Sequence, residues 1–276
     1  MVKARLLLMF GGMLALALSA GAADVSNPSP GAASSYLLKT NGTAVWAHDP
    51  DRRLPPASLT KIMTALLVLE KDRLEEVVTV SEAAARETGT RIGLNPGDRV
   101  SAGDLLAATL LGSANDACRA LADHHGGTEE RFVRRMNERA RSLGMRDTRF
   151  ANSTGHHHPG LYSTARDLAL LAETALSNET FADLVARIRM DIRTVDGRRS
   201  FSLENKNEMV GRYPGAVGVK TGYTREAGPC LVALAERGGT RVLLVMLNAP
   251  DRWWDAVAML DSAFSRTGEV SLGRRR

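Results

Sequence analysis

Cysteine is scarce in this chain of 276 residues, which contains only two, Cys118 and Cys230. Both stand among apolar residues, and neither has a paired histidine motif nearby, so we do not expect a cysteine nucleophile. Two cysteines can form at most one disulfide, and sequence alone does not show whether they approach each other. We favour two buried free thiols, with a single disulfide as the alternative.

Long apolar segments are also missing after residue 22, where no run approaches the roughly 20 residues that span a bilayer. Near the start, an apolar run at residues 6–18 follows two basic residues and precedes small residues at 20–22. This order is typical of a cleaved secretory signal, and an uncleaved anchor is the alternative. We therefore expect residues 1–22 to be removed and the mature protein to be soluble, in the periplasm or another extracytoplasmic space.

Concentrated charge is absent too, since 36 Lys and Arg residues face 31 Asp and Glu residues for a net charge of +5. The positive excess lies in scattered arginines and in the final residues, 274–276. This distribution is too diffuse for a nucleic-acid stripe, so we expect no nucleic-acid partner. A solvated basic surface is the expected reading, and mild attraction to an anionic polymer or membrane is the alternative.

Strand patterns occur toward both ends of the chain, and helical patterns fill its middle. Strands are predicted at 35–38, 43–47, 191–195, 199–203, 217–221, 231–235 and 242–248. Helical apolar spacing occurs at 58–69, 104–111, 114–123, 129–143, 165–176 and 251–264. Turn dipeptides join three strand pairs, at Asn41-Gly42, Asp196-Gly197 and Gly238-Gly239. We predict an α/β fold whose antiparallel sheet is made from N- and C-terminal segments, with an inserted helical lobe.

A short motif at Ser58 and Lys61 stands at the predicted start of a helix, where the i, i+3 spacing puts both side chains on one face. A serine hydroxyl is a weak nucleophile until a base removes its proton. Lysine can be that base if burial or a second cation lowers its pKa. The helix N-terminus favours negative charge near Ser58. Taken alone, the motif favours a capping serine followed by a surface lysine, and only the other two motifs reverse this.

Two further motifs follow at wide spacing, Ser113 with Asn115 and the run Lys220, Thr221 and Gly222. The first falls between helical segments, where its hydroxyl can shuttle a proton to a leaving amine and its amide can hold the lysine and a substrate carbonyl. An ordinary N-cap is the alternative. The second is predicted at a strand end, whose edge can pair with an extended substrate while the glycine permits close approach. The alternative is an ordinary strand end that has no role in function.

The lysine and threonine of the last motif can bind a substrate carboxylate. The backbone N–H of Tyr223, together with that of Ser58, is suited to an oxyanion hole. Each motif is weak alone, but the three in this order match the S-x-x-K, S-x-N and K-T-G set of penicillin-binding proteins and serine β-lactamases. The sequence therefore predicts acyl transfer at a peptide-like carbonyl through an acyl-serine intermediate.

From about residue 36 to residue 264 the chain resembles the low-molecular-mass penicillin-binding proteins, the D-alanyl-D-alanine carboxypeptidase family. Besides the three motifs, the segments that carry this resemblance are 56–65, 142–145, 162–168, 220–224 and 226–228. The resemblance implies a β-lactamase/transpeptidase-like fold and a serine carboxypeptidase of peptidoglycan pentapeptide stems that also binds β-lactam antibiotics. A D-alanyl-D-alanine endopeptidase that cuts peptidoglycan cross-links is the alternative, because only the leaving amine differs.

The resemblance also implies roles for individual residues. Ser58 would be the acylated nucleophile and Lys61 its general base, with Ser113 as the third catalytic residue. The substrate-binding residues would be Asn115, Lys220, Thr221, Gly222 and Tyr223. We expect no cofactor and no metal.

The chain differs from larger family members, which carry an extra β-rich domain and a C-terminal amphipathic anchor helix. It is similar to the short subgroup that includes the endopeptidases. We expect a flexible lead-in at 23–34, the catalytic domain at 35–266 and a basic tail at 267–276.

Three consecutive histidines, His156, His157 and His158, stand where family members vary. Adjacent residues do not point one way as helical i, i+4 ligands do, so a polar loop or a place at the cleft rim is favoured over a metal site. The pair His124 and His125 is expected at a helix end.

Two other function classes remain as alternatives. A class A β-lactamase needs a glutamate to activate the deacylating water, and the stretch at 149–152 contains no acid. A non-catalytic wall-binding protein of the same fold would be expected to lose its nucleophile or base, whereas this chain keeps all three motifs.

Overall fold

The computed structural model describes residues 27–267. The predicted signal peptide at 1–22 and all but the first residue of the predicted basic tail lie outside the described residues. Within residues 27–267, no helix is long and apolar enough to cross a membrane. Both cysteines are buried free thiols, as we favoured from sequence.

Strands lie toward both ends of the described residues, and helices fill most of the middle, as the apolar patterns predicted. In chain order the elements are β1 (Ser35–Thr40), β2 (Thr43–His48), α1 (Lys61–Leu69), β3 (Val77–Thr79), α2 (Glu82–Ala85), β4 (Arg99–Ser101), α3 (Ala102–Leu110), α4 (Asn115–Gly126), α5 (Glu129–Leu143), α6 (Ala165–Leu176), α7 (Glu179–Ala186), β5 (Arg189–Arg193), β6 (Ser200–Glu204), β7 (Ala216–Thr224), β8 (Gly228–Arg237), β9 (Thr240–Leu247) and α8 (Arg252–Arg266).

The main sheet has five antiparallel strands in the order β2-β1-β9-β8-β7. The N-terminal hairpin joins the C-terminal strands through β1 and β9, which pair with Tyr36 opposite Met246. The predicted Asn41-Gly42 turn connects β1 to β2, and Gly238-Gly239 connects β8 to β9. Strand β7 is left at one edge of the sheet, with β8 as its sheet neighbour.

Both faces of the sheet are covered, which follows from the side-chain alternation of a strand. Val245 of β9 belongs to the core between the sheet and the helical lobe. Leu244 and Met246 face the other way and pack with Leu260 and Phe264 of α8. The sheet is therefore a central layer between α8 and the remaining helices.

Helix α1 occupies the centre of the helical lobe, where it contacts α3, α4, α5, α6 and α7. Its sequence is apolar almost all round, and all but one of its nine residues are buried. A helix with this pattern has to be enclosed by other elements. The short motif at the start of α1 is consequently held deep in the molecule.

Sequence patterns missed several short elements. Strands β3 and β4 have three residues each and pair with each other, so neither is long enough to show alternation. Helix α2 has only four residues. Helix α7 carries a usable signal that we did not read, since Asn178 accepts a hydrogen bond from Phe181 N–H as its N-cap and apolar residues follow at helical spacing.

The lead-in was expected to be flexible, but its last residues before β1 pack against the body of the protein. Ala32 and Ala33 are buried in the core beneath α8. The Ser34 N–H donates to the Asn248 carbonyl at 3.0 Å. Small alanines allow the chain to lie close to the sheet, so the composition that suggested a linker is also compatible with packing.

Asp116, in the first turn of α4, holds the loop before β4 from a fully buried position. Its Oδ2 accepts from the N–H groups of Gly93 at 2.9 Å and Leu94 at 3.0 Å. Its Oδ1 accepts from Ile92 N–H at 3.2 Å and Ala117 N–H at 3.0 Å. Both carboxylate oxygens are therefore occupied by backbone donors.

We expect Asp116→Asn to lower the free energy of unfolding by roughly 1–3 kcal/mol, because the amide nitrogen cannot accept these donors. Urea denaturation would measure the change. The control is Asp72→Asn at an exposed, left-handed position (φ 51°) that asparagine tolerates. Its expected effect is within about 0.5 kcal/mol. Equal stability of the two variants would contradict the role of Asp116.

Candidate active site

Ser58 lies in a single 3-10 turn, Ala57–Thr60, which leads directly into α1. We expected the first turn of an α-helix here. The turn is tighter because Leu59 N–H bonds back to Pro56 O at 3.2 Å, three residues earlier. Ala57 has φ 48°, a left-handed conformation that costs a non-glycine residue of order 1–3 kcal/mol. Such strain is concentrated at functional sites, and here it stands immediately before Ser58.

The amino group of Lys61 connects three separate parts of the chain. Its Nζ lies 3.1 Å from Ser58 Oγ, 2.7 Å from Asn115 Oδ1 and 2.6 Å from the Thr154 carbonyl oxygen. A lysine ammonium has three donors, and these three acceptors match them. The side chain is completely buried, and burial lowers the pKa of Lys61 from 10.5 to about 8.

Ser113 lies between α3 and α4, as predicted, and Asn115 is the first residue of α4, but neither is a helix cap. The N-cap position is taken by Ala114, whose side chain cannot cap. Ser113 adopts φ 56°, another left-handed residue, and its Oγ accepts from Lys220 Nζ at 2.9 Å. The Asn115 amide faces Lys61. The ordinary N-cap alternative is therefore wrong for this motif.

The Lys220, Thr221 and Gly222 motif lies inside β7, which continues to Thr224, and not at the strand end as predicted. The strand extends because Thr224 still pairs with Gly228 of β8. All three motif residues are buried. This places the motif along the free edge of the sheet rather than beyond it.

Gly222 brings this edge against the nucleophile motif. A Cβ added at Gly222 would lie 3.0 Å from Ser58 N and 3.1 Å from Pro56 O. A larger residue would push the strand and the turn apart. The side chain of the next residue, Tyr223, is exposed.

Lys220 is the second buried lysine of the site. Its Nζ donates to Ser113 Oγ at 2.9 Å and to the Thr221 carbonyl at 3.0 Å. Burial, followed by the charge of Lys61, lowers the pKa of Lys220 well below 10.5. A lysine in this state gives up a proton far more readily than one in water. The structure thus places two readily deprotonated amines next to two serine hydroxyls.

The matching family model is that of the D-alanyl-D-alanine carboxypeptidases, over residues 22–251. The chain belongs to the D-alanyl-D-alanine carboxypeptidase family. Members of this family are serine hydrolases, and both the fold class and the family predicted from the motifs are confirmed.

Two curated relatives bear the family name. D-alanyl-D-alanine carboxypeptidase DacF of Bacillus subtilis is 37% identical over 244 residues, which cover 85% of this chain and 62% of the relative. DacB2 of Mycobacterium tuberculosis is 33% identical over 241 residues, covering 84% of this chain and 82% of the relative. The chain thus spans less than two thirds of the Bacillus protein's length.

Among solved structures, the Streptomyces K15 DD-transpeptidase superposes with a TM-score of 0.79 at 33% identity. The match covers 85% of this chain and 97% of that one. A D-alanyl-D-alanine carboxypeptidase from Mycobacterium tuberculosis gives a TM-score of 0.80 at 30% identity, over 88% and 93% of the two chains. The sheet and helical lobe described above are therefore the family's fold.

A loop from Asn152 to His156 supplies contacts to the site that the three motifs did not predict. Asn152 Oδ1 accepts from Gly155 N–H at 2.7 Å and shapes the turn that presents the Thr154 carbonyl to Lys61. A Cβ on Gly155 (φ 90°) would lie 2.0 Å from the Ala57 carbonyl oxygen. Asparagine and glycine in one short stretch are a turn signal that could have directed attention here.

The three consecutive histidines that begin at the end of this loop make contacts in different directions. His156 Nε2 lies 3.0 Å from Glu87 Oε2, a residue that sequence reasoning missed. His157 Nδ1 lies 3.9 Å from Glu226, and His158 Nδ1 accepts from a backbone N–H two residues on. A metal-compatible group of the described residues stands instead at the far end of α4, where Glu76, His124 and His125 bring ligand atoms within 4.8 Å of one another.

Arg252, the first residue of α8, is another residue that sequence reasoning missed. Its Nη1 donates to the carbonyl oxygens of Gly222 at 3.0 Å and Cys230 at 3.3 Å. Burial lowers the pKa of Arg252 below that of an ordinary arginine. The guanidinium thereby fixes β7 where it passes the turn that carries Ser58. Only the pairing of distant strands brings this arginine close, and no local pattern marks it.

We expect one lysine amine of the folded protein to titrate at about pH 8, as ammonium below that pH and free amine above it, because Lys61 is buried. NMR of protein labelled with carbon-13 at the lysine ε-position would measure this. The titration should disappear in Lys61→Ala and remain in Lys71→Ala, a change at an exposed lysine. A site lysine that stays protonated to pH 10 would contradict the burial argument.

Proposed function

We propose that this chain is a serine-type D-alanyl-D-alanine carboxypeptidase that removes the terminal D-alanine from peptidoglycan stem peptides. The observation that carries the proposal is the 3.1 Å contact between Ser58 Oγ and the buried Nζ of Lys61. With a pKa lowered to about 8, Lys61 is a free amine in an appreciable fraction of molecules near neutral pH. General base catalysis is most effective when the base has such a pKa.

In the acylation step, Lys61 takes the Ser58 proton while Oγ bonds to the carbonyl carbon of the penultimate D-alanine. The backbone N–H groups of Ser58 and Tyr223 stabilise the oxyanion. As the tetrahedral intermediate collapses, the bond to the terminal D-alanine nitrogen breaks. That nitrogen takes the hydroxyl proton of Ser113, and the proton that Lys61 took from Ser58 replaces it.

Deacylation reverses these transfers with water as the nucleophile. Water adds to the ester carbon, and its proton returns to Lys61 through Ser113. Lys61 returns its proton to Ser58 Oγ when the ester bond breaks. The products are the shortened stem peptide and the regenerated serine, so the cycle needs no cofactor.

Substrate binding would use the free edge of β7. An extended peptide can add to this edge as a further antiparallel strand, since β8 occupies only the other side of β7. Thr221 and Lys220 stand where the substrate's terminal carboxylate would end, and Gly222 keeps the edge close to Ser58. On the opposite wall, the Asn115 amide would bind the carbonyl that precedes the scissile bond.

A second candidate is cleavage of cross-links by the same chemistry. Two relatives are named D-alanyl-D-alanine endopeptidase: one from Pseudomonas aeruginosa, 31% identical over 86% of this chain, and one from Escherichia coli, 32% identical over 85%. The two activities differ in whether the leaving amine is free D-alanine or a cross-linked side chain. We favour the carboxypeptidase because the family model and most of the named relatives carry that activity.

Location and organisation follow from the same proposal. Peptidoglycan lies outside the cytoplasm, so residues 1–22 would act as the signal that exports the enzyme. The catalytic domain would extend over residues 35–266. The β-lactam antibiotics would acylate Ser58, because they mimic the D-alanyl-D-alanine end.

We expect the purified enzyme to release D-alanine from pentapeptide muropeptides and to form a penicillin adduct on Ser58. Mass spectrometry of the products and of the labelled peptide would measure both, with Ser58→Ala as the inactive control. Cleavage confined to cross-linked dimers would establish the endopeptidase instead. An adduct on another residue, or rapid penicillin hydrolysis without an adduct, would refute the assignment.

We expect Thr221→Val to slow reaction with peptides that end in a free carboxylate, because it removes one hydroxyl contact. The loss should correspond to roughly 1–3 kcal/mol in kcat/KM. The matched control is the same peptide with an amidated end, for which the loss should be smaller. Equal losses with acid and amide would mean that the carboxylate binds elsewhere.

A further inference from the structure

Glu87 and His156 form a contact next to the substrate-facing amide of Asn115. His156 Nε2 lies 3.0 Å from Glu87 Oε2 and 3.3 Å from Asn115 Nδ2. Gly89 (φ 73°) permits this approach, since a Cβ there would lie 3.0 Å from Asn115 Nδ2 and 3.5 Å from His156 Cε1. Neither Glu87 nor His156 belongs to the three motifs.

The orientation of the Asn115 amide is set by its other contacts. Oδ1 accepts from Lys61 at 2.7 Å, and Nδ2 donates to the Thr88 carbonyl at 2.6 Å. Only the second hydrogen on Nδ2 remains to be assigned. It can go to His156 Nε2 or to a substrate carbonyl, but a single hydrogen serves only one of these well.

The tautomer of His156 decides between these two uses. An imidazole nitrogen that carries a proton donates, and one without a proton accepts. If Nε2 carries the proton, it donates to Glu87 and repels the Asn115 hydrogen. If the proton is on Nδ1 instead, Nε2 accepts from Asn115 and leaves its lone pair facing the Glu87 carboxylate.

The carboxylate of Glu87 is kept ionised in this position. Burial alone would raise its pKa, but the hydrogen bonds from His156 and Arg119, together with the charge of Arg119 and that of His156 when it is protonated, outweigh burial and lower it. Arg119 Nη1 lies 3.3 Å from Glu87 Oε1 and 2.6 Å from Glu129 Oε2, so Glu87 keeps its other oxygen for His156. An ionised carboxylate 3.0 Å away strongly favours a proton on Nε2.

We propose that Glu87 is a positioning residue that holds the His156 proton on Nε2 and thereby keeps one Asn115 amide hydrogen available to the substrate carbonyl. The proposal rests on the acyl-transfer function assigned above, in which Asn115 binds that carbonyl. Glu87 acts through His156 and does not itself touch the substrate. Its effect is on the availability of a donor, not on the nucleophile.

The charged groups around Glu87 and His156 make the effect of losing Glu87 depend on pH. Glu87 and, behind it, Arg119 lie on one side of His156, and Lys61 lies beyond Asn115. The neighbouring His157 pairs with Glu226. An imidazolium at acidic pH carries protons on both nitrogens and cannot accept from Asn115. Loss of Glu87 should consequently matter at neutral pH and cease to matter when His156 is protonated.

The first test is independent of catalysis. Nitrogen-15 NMR of histidine-labelled protein distinguishes the two neutral tautomers, and His156→Ala identifies the signal. We expect His156 to carry its proton on Nε2 in the wild type and to gain an Nδ1-protonated population in Glu87→Ala. An Nδ1-protonated His156 in the wild type would overturn the proposal, whatever the enzyme's activity.

The second test is a double-mutant cycle on the rate of penicillin acylation. We expect Glu87→Ala to slow acylation by roughly fivefold to tenfold at neutral pH, the scale of one hydrogen bond. In the His156→Ala background the same change should have no effect, because the competing acceptor is gone. Glu87→Gln should restore part of the rate, since its amide oxygen can still accept from Nε2–H.

Controls separate this role from a structural one. Glu82→Gln, at an exposed glutamate paired with Arg86, should leave the rate unchanged. A structural role for Glu87 through Arg119 would slow acylation equally in both backgrounds and at every pH, and that result would overturn the proposal. If the wild type forms no adduct, the assigned function fails, and the NMR experiment still decides the tautomer.

Discussion

The buried ammonium of Lys61 is the interaction on which the rest of the site depends. Removing a charge from water is costly unless the charge is hydrogen-bonded, and this one finds its three acceptors at positions 58, 115 and 154. Those acceptors come from the nucleophile turn, the start of α4 and the loop before residue 156. The core must bring all three segments to one point, so the same constraint that stabilises the lysine also assembles the site.

A second buried lysine makes the arrangement sensitive to protonation. The charge of Lys61 lowers the pKa of Lys220, in addition to the larger effect of burial. The backbone around them is strained at Ala57 and Ser113 and tightly packed at Gly155 and Gly222. Strain and close packing hold the hydroxyls in place before substrate arrives, so binding energy need not be used to arrange them.

The features of the fold and site that could be predicted from the sequence are those set by residues close together in the chain. The pair Ser58 and Lys61 is recognisable because three residues of helix suffice to bring the side chains together. The hairpins at 41–42 and 238–239 were predicted because their turn residues act within a few positions. By contrast, β3 and β4 are too short to show a period, and the alanine-rich lead-in packs where its composition suggested freedom.

The sequence by itself determined the family, the nucleophile motif and the alternation that builds a sheet covered on both faces, because these depend on residue types at short spacing. The tertiary structure decided which amide faces Lys61, that Lys220 meets Ser113 and not solvent, and that Arg252 fixes β7. It also placed Glu87 and His156 beside Asn115, although they are separated from it by 28 and 41 residues of chain. Hydrogen bonds of this kind are made between segments distant in sequence, so no local sequence pattern can predict them.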